Sequence, residues 1–348
     1  RYHPVITHTS HNRSGGERQI VHLPFCFLTT TRLHNAKTPY SCVKKRVWSI
    51  SQKQRERFCG KMRNFAHMKH IALLILMTVS AALSAQQTND SVRITTMLAK
   101  GRKVAKAERF LHYANEFIGT PYVAHTLDTS DISRERLVVH LDYLDCTTFI
   151  DIAAALTLAT EEGTYASFTK HMKRIRYHNG VIDGYASRNH YFAETVDNGR
   201  KLGFLTVIDE GDAEQTLAIN YMTTHRNKYL GIAKDNKEYG RIKAHELELT
   251  GKKIRYFTQE ALRKSDKGLD NGYLKKHIKT GDIIGIITTK KGLDTSHLGI
   301  AVWGKDGKLH LLNASRLHGK VVLETKTLYE YMTTQNTQCG IRVVRLNN

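Results

Sequence analysis

The hydrophobic pattern changes near residue 280, and this change constrains the fold more than any other feature of the sequence. From there to the C-terminus, short apolar segments are separated by turn residues, as in an antiparallel sheet. The tetrapeptide GKDG at 304–307 is a hairpin signal. The predicted strands cover 282–289, 297–303, 308–314, 321–323 and 340–346, and a helix is predicted at 328–332. Because helical patterns come earlier in the chain, we expect an α+β fold with helices packed on a C-terminal antiparallel sheet.

The chain before residue 280 is mainly helical in pattern. In its first part, apolar residues recur at the spacing of one helix face until Gly119 and Pro121 end the helix. The predicted helices cover 91–118, 147–160, 165–177 and 213–250, and residues 251–280 are mixed. Between two of these helices, residues 178–212 form a long polar connection that contains RNHY at 188–191. Since long connections in compact domains are often functional, we expect this one to form a cleft wall.

Residues 68–85 have the pattern of a secretory signal peptide. A basic start is followed by an apolar run at 71–79 and by small residues before Gln86. The apolar run is shorter than the about 20 residues that a membrane span needs, so no stable span is expected after cleavage. We therefore expect Met68 to be the initiator of an exported protein of the periplasm or cell envelope. Residues 1–67 would be a non-native or disordered leader, and the alternative is a basic arm that binds nucleic acid or membrane.

The charge of the chain is concentrated in this N-terminal part. Residues 1–67 carry 13 Lys and Arg against two Glu, and with Lys69 they account for +12 of the formal +21. The remaining +9 over residues 86–348 suits an anionic partner such as the cell envelope and is weak support for nucleic-acid binding. From Gln86 onward the only cysteines are Cys146 and Cys339. They could form one disulfide after export, or one of them could be a nucleophile. No zinc-like spacing of Cys and His is present, so no metal or cofactor is expected.

Cys146 lies at the predicted start of a buried helix, directly after Asp145. Asp is a natural N-cap, since its carboxylate accepts hydrogen bonds from the first turn. A thiol at this position faces unpaired backbone N–H groups and the positive end of the helix dipole, which favour the thiolate. The alternative is that Cys146 is one more buried apolar residue.

A cysteine nucleophile needs a base, and the base needs a third group that orients its ring. His297 begins one predicted strand, and Asn313 lies near the end of the next strand. Adjacent antiparallel strands bring side chains on one face to within about 4.5–5.5 Å at Cβ. His310 is the rival of Asn313, but their odd spacing points them to opposite faces, so only one can meet His297. The order Cys, His, Asn is that of papain-like enzymes.

Five short segments, in order, resemble motifs of the NlpC/P60 cell-wall hydrolases. They are GTPYV at 119–123, LDCTTF at 144–149, TGDII at 280–284, SHLGIAV at 296–302 and NAS at 313–315. The resemblance extends over residues 105–346. It has departures, since Thr147 and Thr148 replace the usual Ser-Gly, Ala124 and His125 replace Trp-Gly, and a large insertion occupies about 162–275. Together with RNHY at 188–191, these departures resemble the DUF1460 branch.

The resemblance implies a papain-like NlpC/P60 fold over residues 86–348, with the sheet forming a partial barrel. It also implies roles: Cys146 as nucleophile, His297 as base and Asn313 as the orienting residue. The expected substrate contacts are Tyr122, Arg188, Tyr191 and Ser296. Arg188 is expected to pair with a substrate carboxylate through two parallel hydrogen bonds.

The DUF1460 branch is associated with cleavage of the amide between N-acetylmuramic acid and L-alanine. The resemblance therefore implies an amidase that acts on peptidoglycan or muramyl-peptide fragments. The nearest competing function is that of a γ-D-glutamyl-L-diamino acid endopeptidase that cuts stem peptides. A non-catalytic peptidoglycan-binding module and a thiol acyltransferase with the same three residues also fit these motifs.

Overall fold

The computed structural model describes residues 89–128 and 135–348, and these form a mixed α+β fold with an antiparallel sheet, as predicted. The leader predicted at 1–67 and the signal peptide predicted at 68–85 lie outside the described residues. The helices are α1 (89–101), α2 (Arg109–Glu116), α3 (Cys146–Ala159), α4 (Tyr165–Arg176), α5 (Phe192–Lys201), α6 (Tyr221–Thr224), α7 (Leu230–Ala233), α8 (Asn236–Leu249), α9 (Gln259–Asp266), α10 (Tyr273–His277) and α11 (Leu328–Thr333). The strands are β1 (Leu205–Ile208), β2 (Ala213–Thr216), β3 (Lys253–Thr258), β4 (Ile283–Thr288), β5 (Thr295–Trp303), β6 (Leu309–Ser315), β7 (Lys320–Leu323) and β8 (Gln338–Leu346). Within the two described ranges, none of the helices has the length and apolar character to cross a bilayer.

The eight strands form one antiparallel sheet in the order β2-β3-β8-β4-β5-β6-β7, and β1 also pairs with β8. Strand β8 is long enough to hold two neighbours along one edge: Phe257 of β3 lies opposite Ile341, and Leu205 of β1 lies opposite Leu346. The five C-terminal strands predicted from the sequence are confirmed, with small shifts at their ends. Strand β4 is buried along its whole length, which explains its continuous apolar sequence.

Hydrophobic clusters cover both faces of the sheet. Helices α1–α5 pack on one face, where Ile283 of β4 and Val344 of β8 point. Helices α9–α11 pack on the other face, where the adjacent residues Ile284 and Val343 point, as the alternation of a strand requires. Helix α3 is apolar around most of its circumference because helices and sheet surround it. The N-terminus of α3 thereby comes to lie beside β5 and β6.

The helix predicted over 91–118 is in fact two helices, α1 and α2. The chain turns after Gly101, where the ring of Tyr113 packs so closely that a Cβ would lie 1.8 Å from its hydroxyl oxygen. That hydroxyl is hydrogen-bonded to Oγ1 of Thr160 at 2.8 Å, at the end of α3. The close approach of three helix ends therefore requires a glycine at 101.

Two further predictions are corrected between residues 178 and 250. The predicted polar connection contains α5 and β1, and the predicted helix at 213–250 begins instead with β2. Helix α5 buries the polar residues Glu194 and Asn198 beside its apolar ones. Because polar residues occupy part of its buried face, the sequence shows no regular helical spacing of apolar residues. Strand β2 has the sequence AEQT and pairs with β3 through its backbone, so its side chains give little signal. Residues of the predicted insertion thus supply β1, β2 and β3 to the common sheet.

Cys146 and Cys339 are both free thiols, so the disulfide that the sequence left open is not formed. Cys339 lies on β8, where its Sγ is 3.8 Å from the carbonyl oxygen of Ile287. Burial raises the pKa of the Cys339 thiol, which keeps it protonated at neutral pH. Cys146 is the first residue of α3.

Candidate active site

The start of α3 is set by reciprocal hydrogen bonds between Asp145 and Thr148. The backbone N–H of Thr148 donates to Oδ1 of Asp145 at 2.8 Å, and the backbone N–H of Asp145 donates to Oγ1 of Thr148 at 3.0 Å. This is a capping box, which defines Cys146 as the first helical residue. The hydroxyl of Thr148 supplies half of the cap.

His297 on β5 faces Asn313 on β6. Nε2 of His297 donates to Oδ1 of Asn313 at 2.9 Å, and Nδ2 of Asn313 donates to Oε1 of Glu324 at 3.0 Å. Because a carboxylate can only accept from the amide, Glu324 determines which way the amide of Asn313 points. The carbonyl oxygen of Asn313 then accepts from His297, and this places the proton of neutral His297 on Nε2. The other ring nitrogen, Nδ1, is left with a lone pair.

Cys146 and His297 are close enough to interact electrostatically. Burial lowers the pKa of His297, but the charge of Cys146, hydrogen bonds to Cys146 and Asn313, and the charge of Glu324 outweigh burial and raise it. A raised imidazole pKa favours a thiolate paired with an imidazolium. The ring of Tyr331 lies beside that of His297, with the two centroids 6.2 Å apart. The structure thus brings together the three residues that the sequence singled out.

His310, the rival of Asn313, points to the opposite face of β6. Its Nδ1 lies 3.1 Å from the carbonyl oxygen of Glu324, and its Nε2 lies 3.1 Å from Oδ2 of Asp306. The alternation of the strand therefore decides in favour of Asn313 as the partner of His297.

Glu324 and His318 extend the hydrogen-bonded chain and were not predicted from the sequence. Oε2 of Glu324 lies 3.1 Å from Nε2 of His318. Glu324 is 5% exposed, whereas the side chain of His318 is 51% exposed. The series of hydrogen-bonded side chains therefore runs from the imidazole of His297 to the surface. The sequence feature that could have indicated Glu324 is its position as a single acidic residue directly after β7, the strand that pairs with the strand of Asn313.

Tyr122 lies next to the cysteine. Burial raises the pKa of its hydroxyl, and the charges of Cys146 and Asp145 raise it further. The segment is held by backbone hydrogen bonds, in which the N–H of Tyr122 donates to the carbonyl of Gly319 and that of Val123 to the carbonyl of Leu144. Tyr122 is half-buried, and it is not among the residues that line the cavity beside the start of α3.

A cavity of about 280 Å³ opens beside the start of α3. Asp145 and Thr147, which flank Cys146 in the chain, line it, and so do Arg176 and Arg188. The cavity wall comes partly from the connection at 178–191, as the sequence predicted. The cavity therefore lies next to the thiol and carries charges of both signs, with Arg176, Arg188 and Lys228 against three aspartates.

Both arginines of this pocket are buried. Arg188 is 7% exposed, its guanidinium carbon lies 4.5 Å from the ring centroid of Tyr185, and its Nε lies 3.4 Å from Oε1 of Glu135. Arg176 donates from Nε to Oδ2 of Asp151 at 3.0 Å. Among the described residues, Nε of Arg188 and Nη2 of Arg176 have no hydrogen-bond partner. Both residues line the cavity, and a guanidinium group there can bind a ligand carboxylate.

Tyr191 and Ser296 are not brought to this pocket. Tyr191 is 4% exposed and donates from its hydroxyl to Oε1 of Glu246 at 2.6 Å, which fastens α5 to α8. Ser296 is the unpaired residue of a β-bulge, because Ile286 pairs with His297 and Ile287 with Thr295, and its Oγ lies 3.4 Å from the carbonyl oxygen of Ile286.

Known proteins resemble this chain in sequence and in structure. A family model described as AmiA-like, N-acetylmuramoyl-L-alanine amidase-like, matches residues 112–341. An N-acetylmuramoyl-L-alanine amidase from Bacteroides uniformis is 35% identical, with a TM-score of 0.64 over 70% of this chain and 99% of that chain. A structure named as a candidate xylanase, from Bacteroides fragilis, is 36% identical, with a TM-score of 0.62 over 68% of this chain and 99% of that chain.

A more distant structure shares the fold. Protein LPG0564 from Legionella pneumophila, which carries the DUF1460 family name, is 23% identical, with a TM-score of 0.59 over 76% of this chain and 97% of that chain. No curated protein sequence matches the chain. The family model covers well over half of the sequence and includes Cys146, His297 and Asn313. This chain therefore belongs to the AmiA-like family, the N-acetylmuramoyl-L-alanine amidase-like proteins.

Proposed function

We propose that this protein hydrolyses the amide bond between N-acetylmuramic acid and L-alanine in peptidoglycan fragments, through a Cys-His-Asn thiol mechanism of the NlpC/P60 type. The observation that carries the proposal is the hydrogen bond from Nε2 of His297 to Asn313, which leaves Nδ1 of His297 available to Cys146. The raised pKa of His297 supports the same pairing, since Cys146 is the foremost group that raises it. The family membership supports the substrate class.

In the proposed reaction, Sγ of Cys146 attacks the lactyl carbonyl carbon of the muramic acid residue. The C–N bond to L-alanine breaks, and the imidazolium of His297 gives its proton to the leaving amine. Water then attacks the thioester while His297 takes up a proton, which releases the muramic acid carboxylate and regenerates the thiolate. The products are a free muramic acid carboxyl group and a peptide with an amino-terminal L-alanine.

The start of α3 offers donors for the oxyanion of this reaction. In the first turn, the N–H of Thr148 is used by Asp145, and that of Phe149 donates to the carbonyl of Asp145 at 3.0 Å. The N–H groups of Cys146 and Thr147 belong to the helix positions that lack an intrahelical acceptor. We assign them to the oxyanion, where loss of one donor typically costs about 2.7–4 kcal/mol of transition-state stabilisation.

The pocket beside Cys146 supports binding of an anionic ligand. Arg176, Arg188 and Lys228 line it against Asp128, Asp145 and Asp151, so the support comes from the guanidinium donors and not from a net positive charge. Stem peptides carry free carboxylates, and a charge-assisted hydrogen bond to each would orient the peptide relative to the thiol. We also propose that the protein is exported, because residues 68–85 have the pattern of a secretory signal peptide, and export to the periplasm or cell envelope would bring it to this substrate.

The test is mass spectrometry of the products from a muramyl-peptide, with the wild-type protein beside Cys146→Ala. Release of a peptide that begins with L-alanine, absent with the variant, supports the amidase. Release of muramyl-L-alanyl-D-glutamate would indicate the same thiol chemistry with cleavage at the γ-D-glutamyl bond. Binding without turnover by both proteins would instead identify a peptidoglycan-binding module.

A further inference from the structure

Three side chains converge away from the thiol. His178 follows α4, Glu194 lies in the first turn of α5, and His245 is on α8. Oε1 of Glu194 lies 3.4 Å from Nε2 of His178 and 3.5 Å from Nδ1 of His245. The three atoms all lie within 4.8 Å of one another. Three separate segments of the chain thus bring two imidazole nitrogens and one carboxylate oxygen to a single point.

These three atoms are shielded from solvent, and none has a hydrogen-bond partner within residues 89–128 and 135–348. Glu194 is 4% exposed, so its carboxylate is removed from bulk water. Buried polar atoms are nearly always hydrogen-bonded, because an unpaired one loses its hydration without compensation. A convergent set of three such atoms therefore indicates a ligand that satisfies all of them at once.

The two separations from Oε1 of Glu194 fit a shared cation better than direct hydrogen bonds. N–H···O bonds span about 2.7–3.2 Å, and both contacts of Oε1 of Glu194, at 3.4 and 3.5 Å, are longer. Tetrahedral zinc, with bonds of about 2.0–2.1 Å, holds neighbouring ligand atoms about 3.3 Å apart. Two imidazoles and one carboxylate are also a common set of zinc ligands.

The second oxygen of Glu194 is held by the backbone. Oε2 accepts from the N–H of His190 at 2.6 Å and from that of Tyr191 at 2.9 Å. These bonds fix the carboxylate, so that Oε1 is aimed at His178 and His245. Fixed outer contacts of this kind are usual for metal ligands, because they orient the donor atom before the metal binds.

We propose that His178, Glu194 and His245 bind a divalent transition-metal cation of the Zn²⁺ class. The cation joins α8 to the chain between α4 and α5. That connection carries Arg188, which lines the pocket beside Cys146. Bound metal therefore fastens the pocket wall, as a structural site separate from the thiol, and the inference does not rest on the proposed reaction.

The experiment uses the protein without a polyhistidine tag, after treatment with a chelator. Zn²⁺ is added in a calorimetric titration, and Co²⁺ is added while its visible d–d absorption is followed. We expect one cation per chain, the absorption of a low-symmetry Co²⁺ site with nitrogen and oxygen ligands, and a rise in Tm with Zn²⁺. His178→Gln and His245→Gln should each weaken binding by more than about tenfold.

The matched control is His225→Gln. His225 lies in the same part of the chain, where its Nδ1 is 2.9 Å from the carbonyl oxygen of Tyr221, and it takes no part in the cluster. This variant should bind Zn²⁺ with wild-type affinity. Failure of the wild-type protein to bind either cation would overturn the proposal, and so would unchanged affinity in both cluster variants. These readouts need no substrate, so they are independent of the amidase test.

Discussion

Asn313 accepts a 2.9 Å hydrogen bond from Nε2 of His297 and is itself fixed by the buried carboxylate of Glu324. The amide therefore has one orientation, and neutral His297 has one tautomer. The lone pair on Nδ1 of His297 then faces the start of α3, where Cys146 lies. A single hydrogen-bonded chain across β5, β6 and the end of β7 thus prepares the imidazole for its proposed role.

Replacing Asn313 by Ala should lower kcat by about 10²-fold, with a small change in KM, because the imidazole of His297 loses its orientation. The measurement is steady-state hydrolysis of a muramyl-peptide. His310→Ala is the control, since His310 is on the same strand but points to the other face, and its kcat should change by less than about threefold. Equal losses in the two variants would contradict the assignment of Asn313.

Replacing Glu324 by Gln should move the alkaline limb of the kcat/KM profile to lower pH. The charge of Glu324 is one of the groups that raise the pKa of His297, and a neutral amide removes that charge while keeping the shape of the side chain. Because the imidazolium is needed in the thiolate pair, a lower pKa of His297 ends activity at a lower pH. An unchanged profile would show that Glu324 acts on orientation alone.

The raised pKa of His297 also predicts a pH dependence of stability. The folded protein binds the proton of His297 more tightly than the unfolded chain, whose His titrates near the ordinary value of 6.5. The stabilisation is therefore complete below that value and is lost as pH rises through the higher folded pKa. Urea unfolding of wild type and His297→Gln should show a difference in unfolding free energy that shrinks as pH rises. If the difference in unfolding free energy instead grew with pH, folding would lower the pKa of His297 and not raise it.

Arg188 should govern substrate affinity. Replacing it by Ala removes buried N–H donors from the pocket, and a hydrogen bond to a charged group contributes about 1.5–3 kcal/mol, so KM should rise by roughly 10- to 100-fold. Arg188→Lys keeps the charge but not the planar fork, and we expect an intermediate KM. Circular dichroism checks the fold, because Arg188 also stacks on Tyr185. A KM equal to that of wild type in both variants would show that Arg188 does not bind the substrate.

The cap of α3 should contribute measurably to stability. Asp145→Ala removes the acceptor of the Thr148 N–H and should lower the unfolding free energy by about 0.5–2 kcal/mol. Asp145→Asn keeps an acceptor oxygen at the N-cap and should stay close to wild type. Denaturant unfolding measures both variants, and comparable destabilisation in the two would mean that charge, not capping, is what Asp145 supplies.

The sequence alone was sufficient where the signal is local. The C-terminal strands are contiguous apolar segments bounded by turns, and Asp145 marks the start of α3, so both could be predicted from a few neighbouring residues. Strand alternation also predicted that Asn313 and His310 face opposite ways. Helix α5 and strand β2 were missed because buried polar residues or backbone pairing, and not an apolar period, hold them in place.

The tertiary structure decided everything that depends on contacts between distant segments. It showed that Asn313 meets His297, that Glu324 fixes Asn313, and that Tyr191 supports the core of the cleft wall instead of facing the pocket. Likewise, His178, Glu194 and His245 have no metal-binding spacing in the chain and meet only where α4, α5 and α8 pack together. The physical reason is that side-chain chemistry is encoded residue by residue, whereas the distances on which that chemistry depends arise from the packing of the whole chain.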